Sequence, residues 1–599
     1  MRAGITTNKV NFLLGLSVAG LISFLLPLNS HATAANTSDS VPSLPPHELT
    51  TEDFSTFTEK LVTDQLVRFG IPGAVVVAAK DGRILFARGF GFANLEERKP
   101  MTVDATLVNV ASITKLFWGI AVMQLVEQGR LDLDRDVNDY LNFHIPTPTG
   151  GVPVTLRRLL THRAGFAEQA KNMGYVGAGP PPPIHSFADR LPERLYPDGD
   201  VAAYSNYGAE LSAFIVERVS GESFDHYGAE HILAPLAMSH SSFEDPLPAP
   251  LTPLMARAYS KLDPPESVDE HYPVHLLVAS AADMGRFMQA LLDGGRLDGS
   301  KILQPETLAQ MLAPQVTTPV GDMGLAFYEY SVGDVRFNGK DGDNYFHSIL
   351  MLKPEQRFGI FAAYNGQAIG GRPLDELLTA LADRYFAASA TTTNTNRLRA
   401  PTLTARRYAG VYQHTRRSER SLFKVDALLS QIVIGATQDG GISVKPAAVS
   451  WAPTVVGSEI EPSVYALPRG VFLPQGVRIA LETTRSGRQL ALAAAGVLAF
   501  ERVPWHESAT LIVPPLCISA SLAGLTLIVW PFAAVVRRRR HRPVARNRAD
   551  VISFVLVRAV LGVDVLVLGA LIACLKVGPD HITDTADPWL TTVYVFAWL

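Results

Sequence analysis

The rhythm of apolar and polar positions changes several times along this chain, and each change predicts a different element. Gly73-Ala74-Val75-Val76-Val77-Ala78-Ala79 is one continuous apolar run and Ile84-Leu85-Phe86-Ala87-Arg88-Gly89 is a second, with Lys80-Asp81-Gly82 between them. Two β-rich runs joined by an Asp-Gly turn predict a hairpin. Val110 to Gln128 is apolar on nearly every helical face and is closed by Gly129, which predicts a buried helix rather than a surface one. Further helices are expected at Tyr207 to Val219 and Ala282 to Leu292. β-rich runs return at Ser348 to Lys353 and Phe358 to Tyr364, before a final helix over Pro373 to Ala388. Strands at both ends with helices between predict an α+β domain over residues 36–390 whose sheet joins its two ends.

The pattern then fades. Residues 391–404 are rich in Thr, Ala and Asn with little apolar periodicity, which marks a linker. Residues 405–505 carry short β-type runs between Gly, Pro and Asp turns, among them Gln431 to Ile434, Val471 to Leu473 and Leu490 to Leu492. These predict a small all-β sandwich or barrel, in which no catalytic constellation is visible. From residue 506 the polarity shifts again. Ala509 to Val536 is uncharged and long enough to span a bilayer, and Val551 to Leu575 is a second such stretch, interrupted by Arg558 and Asp564. The basic loop beginning Arg537-Arg538-Arg539-Arg540 lies between them, so the positive-inside rule places it in the cytoplasm and excludes a nucleic-acid patch as the simpler explanation. At the other end, Arg2 and Lys9 precede an apolar run from Phe12 to Leu28 and then Ala32-Thr33-Ala34. Residues 1–35 therefore read as an export signal or, left uncleaved, a membrane anchor. Both ends predict a membrane-anchored chain with its main domain outside the cytoplasm.

At 599 residues the chain exceeds one ordinary core, in keeping with two or three units. Its formal net charge of -4 provides no global reason to bind nucleic acid. Both cysteines, Cys517 and Cys574, fall in the C-terminal apolar stretches, so the body of the protein has no thiol for a disulfide, a metal or a nucleophile. The histidines show no metal-ligand spacing, and neither a metal nor another cofactor is expected.

Candidate chemistry begins at the buried helix. Ser112 and Lys115 stand three apart at its start and share a face. A hydroxyl there lies in the positive field of the helix N-terminus, and a partly desolvated Lys115 would be neutral often enough to take its proton. Tyr204-Ser205-Asn206 follows in a loop before a helix, and Lys340-Asp341-Gly342 comes later beside a β-type run. Each pattern alone is common. Lys80-Asp81-Gly82 and Tyr140-Leu141-Asn142 satisfy two of them in the wrong positions.

Taken in order, these motifs resemble those of the serine β-lactamase and D,D-peptidase superfamily, in its class C-like branch, over about Leu49 to Phe386. Leu159-Leu160-Thr161-His162-Arg163-Ala164-Gly165, Pro235-Leu236-Ala237-Met238 and Ser280-Ala281-Ala282-Asp283-Met284 resemble intervening family segments. The resemblance implies a β-lactamase/transpeptidase-like domain, an antiparallel sheet with a helical cluster. It implies Ser112 as nucleophile, Lys115 and Tyr204 sharing general base and acid work, and Asn206 holding the substrate amide. Lys340 would sit against Tyr204, and the backbone N–H of Asp343, after Gly342, would pair with that of Ser112 as oxyanion donors. His162 is implied to be structural. The unit beginning Tyr408-Ala409-Gly410-Val411-Tyr412 resembles a lipocalin-like module, implied to pack or to touch the substrate's edge.

The chain departs from the family at Asp341 and Asp343, which put carboxylates beside Lys340 and suit neutral esters or amides better than anionic substrates. It also departs at Pro273-Val274-His275-Leu276-Leu277, where relatives carry a Gly-Gly pair. The functional expectation is acyl-enzyme hydrolysis of a small-molecule or peptide substrate: an ester, an amide, a D-amino-acid peptide or a β-lactam. The competing class is a catalytically silent envelope sensor on the same fold, with a transporter third.

Overall fold

A computed structural model of the chain describes residues 46–169, 191–260, 264–268, 276–369, 371–386, 403–419, 424–448, 454–469 and 476–539, with isolated positions between 552 and 569. The expected export segment, the stretches 180–183, 273–275 and 471–473, most of the linker and most of the second apolar stretch lie outside the described residues.

Helix α1 (Thr51–Phe69) starts where Thr50 Oγ1 accepts from the Asp53 N–H and stops at Gly70, which is left-handed at φ 66°. The expected hairpin follows as β1 (Gly73–Lys80) and β2 (Arg83–Asn94). Its turn residues Asp81 and Gly82 both have positive φ, 51° and 79°, as a tight hairpin of the right twist requires. Helix α2 (Thr114–Glu127) is the buried helix, shorter than the expected Val110 to Gln128 because residues Ala111–Ile113 form a tighter 3-10 turn before it. Helix α3 (Asn206–Ser220) is capped by Ser205 and ended by Gly221, and α4 (Ala281–Leu292) is capped by Ser280.

The main sheet is antiparallel and takes strands from both ends of this region. Its members are β1, β2, β3 (Lys99–Pro100), β4 (Val316–Thr318), β5 (Gly321–Met323), β6 (Tyr328–Val332), β7 (Val335–Asp343), β8 (His347–Lys353) and β9 (Phe358–Tyr364). The order is β4-β5-β6-β7-β8-β9-β1-β2-β3, so the expected joining of the two ends occurs where β1 pairs with β9, Val77 opposite Phe361. Strand β1 reads as a continuous apolar run because both faces are covered. Val75, Val77 and Ala79 enter one core with α2 and α4, while Ala74, Val76 and Ala78 enter a second with α1 and α5 (Pro373–Leu381). The last helix was expected to run unbroken to Ala388; its α-helical part ends at Leu381 and a wider turn continues through Phe386.

The second unit is a barrel, not a sandwich. Eight strands, β10 (Gly410–His414), β11 (Ile432–Ala436), β12 (Ile442–Pro446), β13 (Val455–Glu461), β14 (Val464–Leu467), β15 (Val477–Thr483), β16 (Gln489–Ala493) and β17 (Leu498–Arg502), close on themselves through the β10–β17 pair. Closure leaves no unpaired edge. Alternation then assigns the two faces: Tyr412, Ile434, Tyr465 and Leu481 fill the interior. Val464, Ala480, Leu490, Leu492 and Ala499 instead pack outward on Tyr196, Val201, Ala203 and Val320 of the first domain. Among the described residues one helix, α6 (Ala509–Arg539), is long and apolar enough to cross a membrane.

Candidate active site

Ser112 owes its position to the turn before α2. Ala111 is held at φ 49°, and its N–H donates to Asn109 Oδ1 at 2.8 Å. Thr114 Oγ1 donates to the Ala111 carbonyl at 2.7 Å and accepts from the Leu277 N–H at 3.0 Å. From the sheet side, Ser348 Oγ donates to the Val110 carbonyl at 2.9 Å. Two local side chains and two segments distant in sequence thus fix one strained turn, and the half-buried Ser112 hydroxyl projects from it.

Gly342 is placed where β7 passes this turn. A Cβ there would lie 2.4 Å from the Val110 carbonyl oxygen, 2.5 Å from Ser348 Oγ and 2.9 Å from Ala111 Cβ. Only glycine lets the strand come so close. Gly342→Ala is expected to displace the Ser112 turn and to slow modification of Ser112 by a serine-directed probe about a hundredfold. Overpacking at about 1–3 kcal/mol leaves the protein folded. Rate of labelling and a thermal melt, measured together, check this; unchanged labelling would contradict the role of the close approach.

Two of the expected partners converge on the Ser112 hydroxyl. Lys115 Nζ donates to Ser112 Oγ at 2.9 Å, and Tyr204 OH donates to the same oxygen at 3.0 Å. Lys340, on β7, stands behind Tyr204 and donates to its hydroxyl at 3.5 Å. Both lysines are buried. Asn206, half-buried, opens α3 two residues after Tyr204, where the Ser205 cap sets the direction of the helix. The decoy motifs lie elsewhere: Lys80 pairs with Asp81 on the hairpin turn, and Tyr140 accepts from the Asp132 N–H.

The acidic neighbours of Lys340 are spoken for. Asp341 Oδ1 is 4.0 Å from Lys340 Nζ, yet it accepts from Tyr330 OH, on the strand next to β7. Asp343 is exposed and pairs with His347 Nδ1 at 2.7 Å, across from it in the β7–β8 register. Asp341 does stand beside Lys340, as expected, although Tyr330 also engages it. Each has its own partner, and Lys340 keeps its contact with Tyr204.

Three residues sit at the site that the motifs did not reveal as parts of it. Tyr328, on β6 opposite Gly339, is buried and accepts a hydrogen bond from Lys340 Nζ. His162 stacks on the Tyr204 ring at 4.2 Å between centroids. Its Nδ1 accepts from the Ser205 N–H at 3.4 Å, so the neutral ring carries its proton on Nε2, 3.4 Å from Tyr328 OH. The third is Arg416, which follows β10 in the barrel and places its guanidinium carbon 4.8 Å from the Tyr204 ring centroid. No catalytic constellation is visible in the barrel's own sequence, and this contact is one that it makes with the site.

The electrostatics follow from this crowd of cations. Burial opposes ionisation of Tyr204, but Lys115, Lys340, Arg416 and the Ser112 hydrogen bond outweigh it and bring the phenol down to about 7. Burial lowers Lys340 from the usual ammonium range, against the raising effects of Tyr204 and Asp341. Burial, with Lys340 and Lys115 nearby, holds His162 neutral. Burial pushes Tyr328 well up, so it keeps its proton. A phenol ionising near neutrality, 3.0 Å from a serine hydroxyl, can take that hydroxyl's proton.

A family model described as Beta-lactamase matches residues 58–384. The chain belongs to the beta-lactamase family. Among curated relatives, Protein flp of Staphylococcus aureus (strain N315) is 26% identical over 197 residues, 32% of this chain and 39% of that protein. Putative penicillin-binding protein PbpX of Bacillus subtilis (strain 168) is 28% identical over 286 residues, 45% of this chain and 64% of that protein. The chain thus spans less than two thirds of either relative. Among solved structures, SurE superposes with a TM-score of 0.52 at 21% identity, covering 76% of this chain and 99% of that one. That share exceeds the stretch that the family model matches in this beta-lactamase family member, so the likeness in fold extends beyond that stretch.

Proposed function

We propose that this protein hydrolyses an ester, an amide or a D-amino-acid peptide through an acyl-enzyme on Ser112. The observation that carries this reading is the convergence of Lys115 and Tyr204 on one hydroxyl, with Tyr204 titrating near neutral pH. Once Tyr204 is ionised, its contact with Ser112 reverses polarity and the serine becomes the donor. Ser112 Oγ then bonds to the substrate's acyl carbon as its proton passes to the phenolate. Lys115 and Lys340 stand beside the phenolate and stabilise it. The backbone N–H groups of Ser112 and Asp343 receive the developing oxyanion, and Asn206 holds the substrate's amide. Tyr204 returns the proton to the leaving group, and water later cleaves the Ser112 ester by the reverse use of the same groups. Reaction with a fluorophosphonate or penicillin probe, followed by peptide mapping, is expected to place the adduct on Ser112. An adduct on any other residue would refute the assignment.

We also propose that the catalytic domain works outside the cytoplasmic membrane, tethered through α6. Leu516, Ile518, Leu522 and Phe532 of this helix are each more than half exposed, a poor arrangement in water and a natural one in lipid. Its three prolines, Pro514, Pro515 and Pro531, are better tolerated in a membrane helix than in an aqueous one. The full chain is expected to stay with the membrane pellet after a carbonate wash and to be cut by protease added from outside. Recovery in the soluble fraction would overturn this location.

A further inference from the structure

The barrel does more than lean on the hydrolase domain: it grips the segment that delivers Tyr204. Tyr196, Val201 and Ala203 are buried against its outer face. Thr415 Oγ1 donates to the Ala202 carbonyl at 2.7 Å, and Tyr196 OH donates to Glu501 Oε2 at 2.8 Å. The Glu168 N–H donates to the Arg417 carbonyl at 2.9 Å. Between these anchors, Arg416 Nε donates to Glu168 Oε2 at 2.6 Å, and this bond aims the guanidinium at the Tyr204 ring. A buried hydroxyl bond on one side and an ion pair on the other leave Arg416 little freedom of direction.

We infer that Arg416 is a positioning residue of the catalytic centre, and that docking of the barrel tunes Tyr204 as a base. The inference rests on the reading of Ser112 and Tyr204 above. The groups facing Tyr204 come from every element around it: Ser112 and Lys115 at the start of α2, neutral His162, Tyr328 on β6, Lys340 on β7, and Arg416 from the barrel. Glu168 pairs with Arg416, Asp341 stands 4.0 Å from Lys340, and Asp343 and Asp426 lie within the field of Arg416. Lys115 and Lys340 belong to the same domain as the phenol. Among the described residues Arg416 is the cation that reaches it across the domain boundary, so without the barrel in place Tyr204 would keep Lys115 and Lys340 but lose Arg416.

Because the Arg416 side chain is 41% exposed, water and salt weaken its effect relative to the buried lysines. The pH midpoint for labelling of Ser112 by a fluorophosphonate, measured on the full chain, is expected near neutral in the wild type. It should rise by about half a pH unit or more in Arg416→Gln. Arg416→Lys should stay close to wild type, and added salt should narrow the gap between wild type and Arg416→Gln. Glu168→Gln, whose amide oxygen can still accept from Arg416 Nε, removes the carboxylate charge but keeps the cation aimed, and should not raise the midpoint. An unmoved midpoint in Arg416→Gln, or an equal rise in Glu168→Gln, would overturn the inference while leaving Ser112 as the labelled residue. A wild-type chain that takes no label at any pH would refute the Ser112 reading and this inference with it.

Discussion

Replacing Ser112 with alanine is expected to abolish acyl transfer and to leave the fold standing. The side chain contributes one oxygen that accepts from both Lys115 and Tyr204, so its loss removes the bond-forming atom and two hydrogen bonds together. The cost to stability is on the order of 1–2 kcal/mol, since water at the half-buried cleft can serve the orphaned donors. The turn itself is held by Asn109, Thr114 and Ser348 rather than by Ser112, which is why the variant keeps its shape. Turnover on a panel of esters and D-amino-acid peptides should fall to background in Ser112→Ala, with covalent labelling gone and the thermal midpoint within a few degrees of wild type. Labelling of the variant equal to wild type would end the acyl-enzyme account.

The second large effect is expected at Tyr204. Tyr204→Phe keeps the ring that stacks on His162 and removes the oxygen that takes the serine's proton, so acylation should slow by about 10²–10⁴-fold. The pH dependence separates this loss from a structural one. In the proposed mechanism the active form of Tyr204 is the phenolate, with the phenol brought to about 7 by the lysines, the arginine and the serine hydrogen bond against the opposing effect of burial. The acylation rate of wild type should therefore rise with pH through about 7 and then level. In Tyr204→Phe the residual rate should lose that step. If the step persists in the variant, the titrating base is another group, and Lys115 becomes the candidate.

Much of the domain was legible from local pattern because its signals are local. Residues Asp81 and Gly82 suit left-handed backbone, Ser205 and Ser280 cap the helices that follow them, and both are read within a few positions. The uniform apolarity of α2 and β1 announces burial on every side, and both are indeed covered on all faces. The order Ser112-Lys115, Tyr204-Asn206, Lys340-Gly342 singled out the residues that the fold brings to one place, with Asn206 opening the helix beside them. The 3-10 turn at Ala111–Ile113 escaped the reading, since its shape is imposed by Leu277, Gly342 and Ser348.

Other features have no signature along the chain. Alternation along β7 shows that Lys340 and Asp341 point to opposite faces, but not that Tyr330 waits for Asp341 or that His347 pairs with Asp343; those depend on the register with β6 and β8. Whether short strands form a sandwich or a barrel depends on whether the first meets the last, as β10 meets β17. Tyr328 reaches Lys340 across two strands, and Arg416 reaches Tyr204 across two domains, 212 positions apart. Residue types and their spacing suffice to specify elements and to single out Ser112 and the partners that the fold brings to it. The charge around Tyr204 is a sum over groups that only folding and docking bring within a few ångströms, and a sum over distances in space cannot be read from distances along a chain.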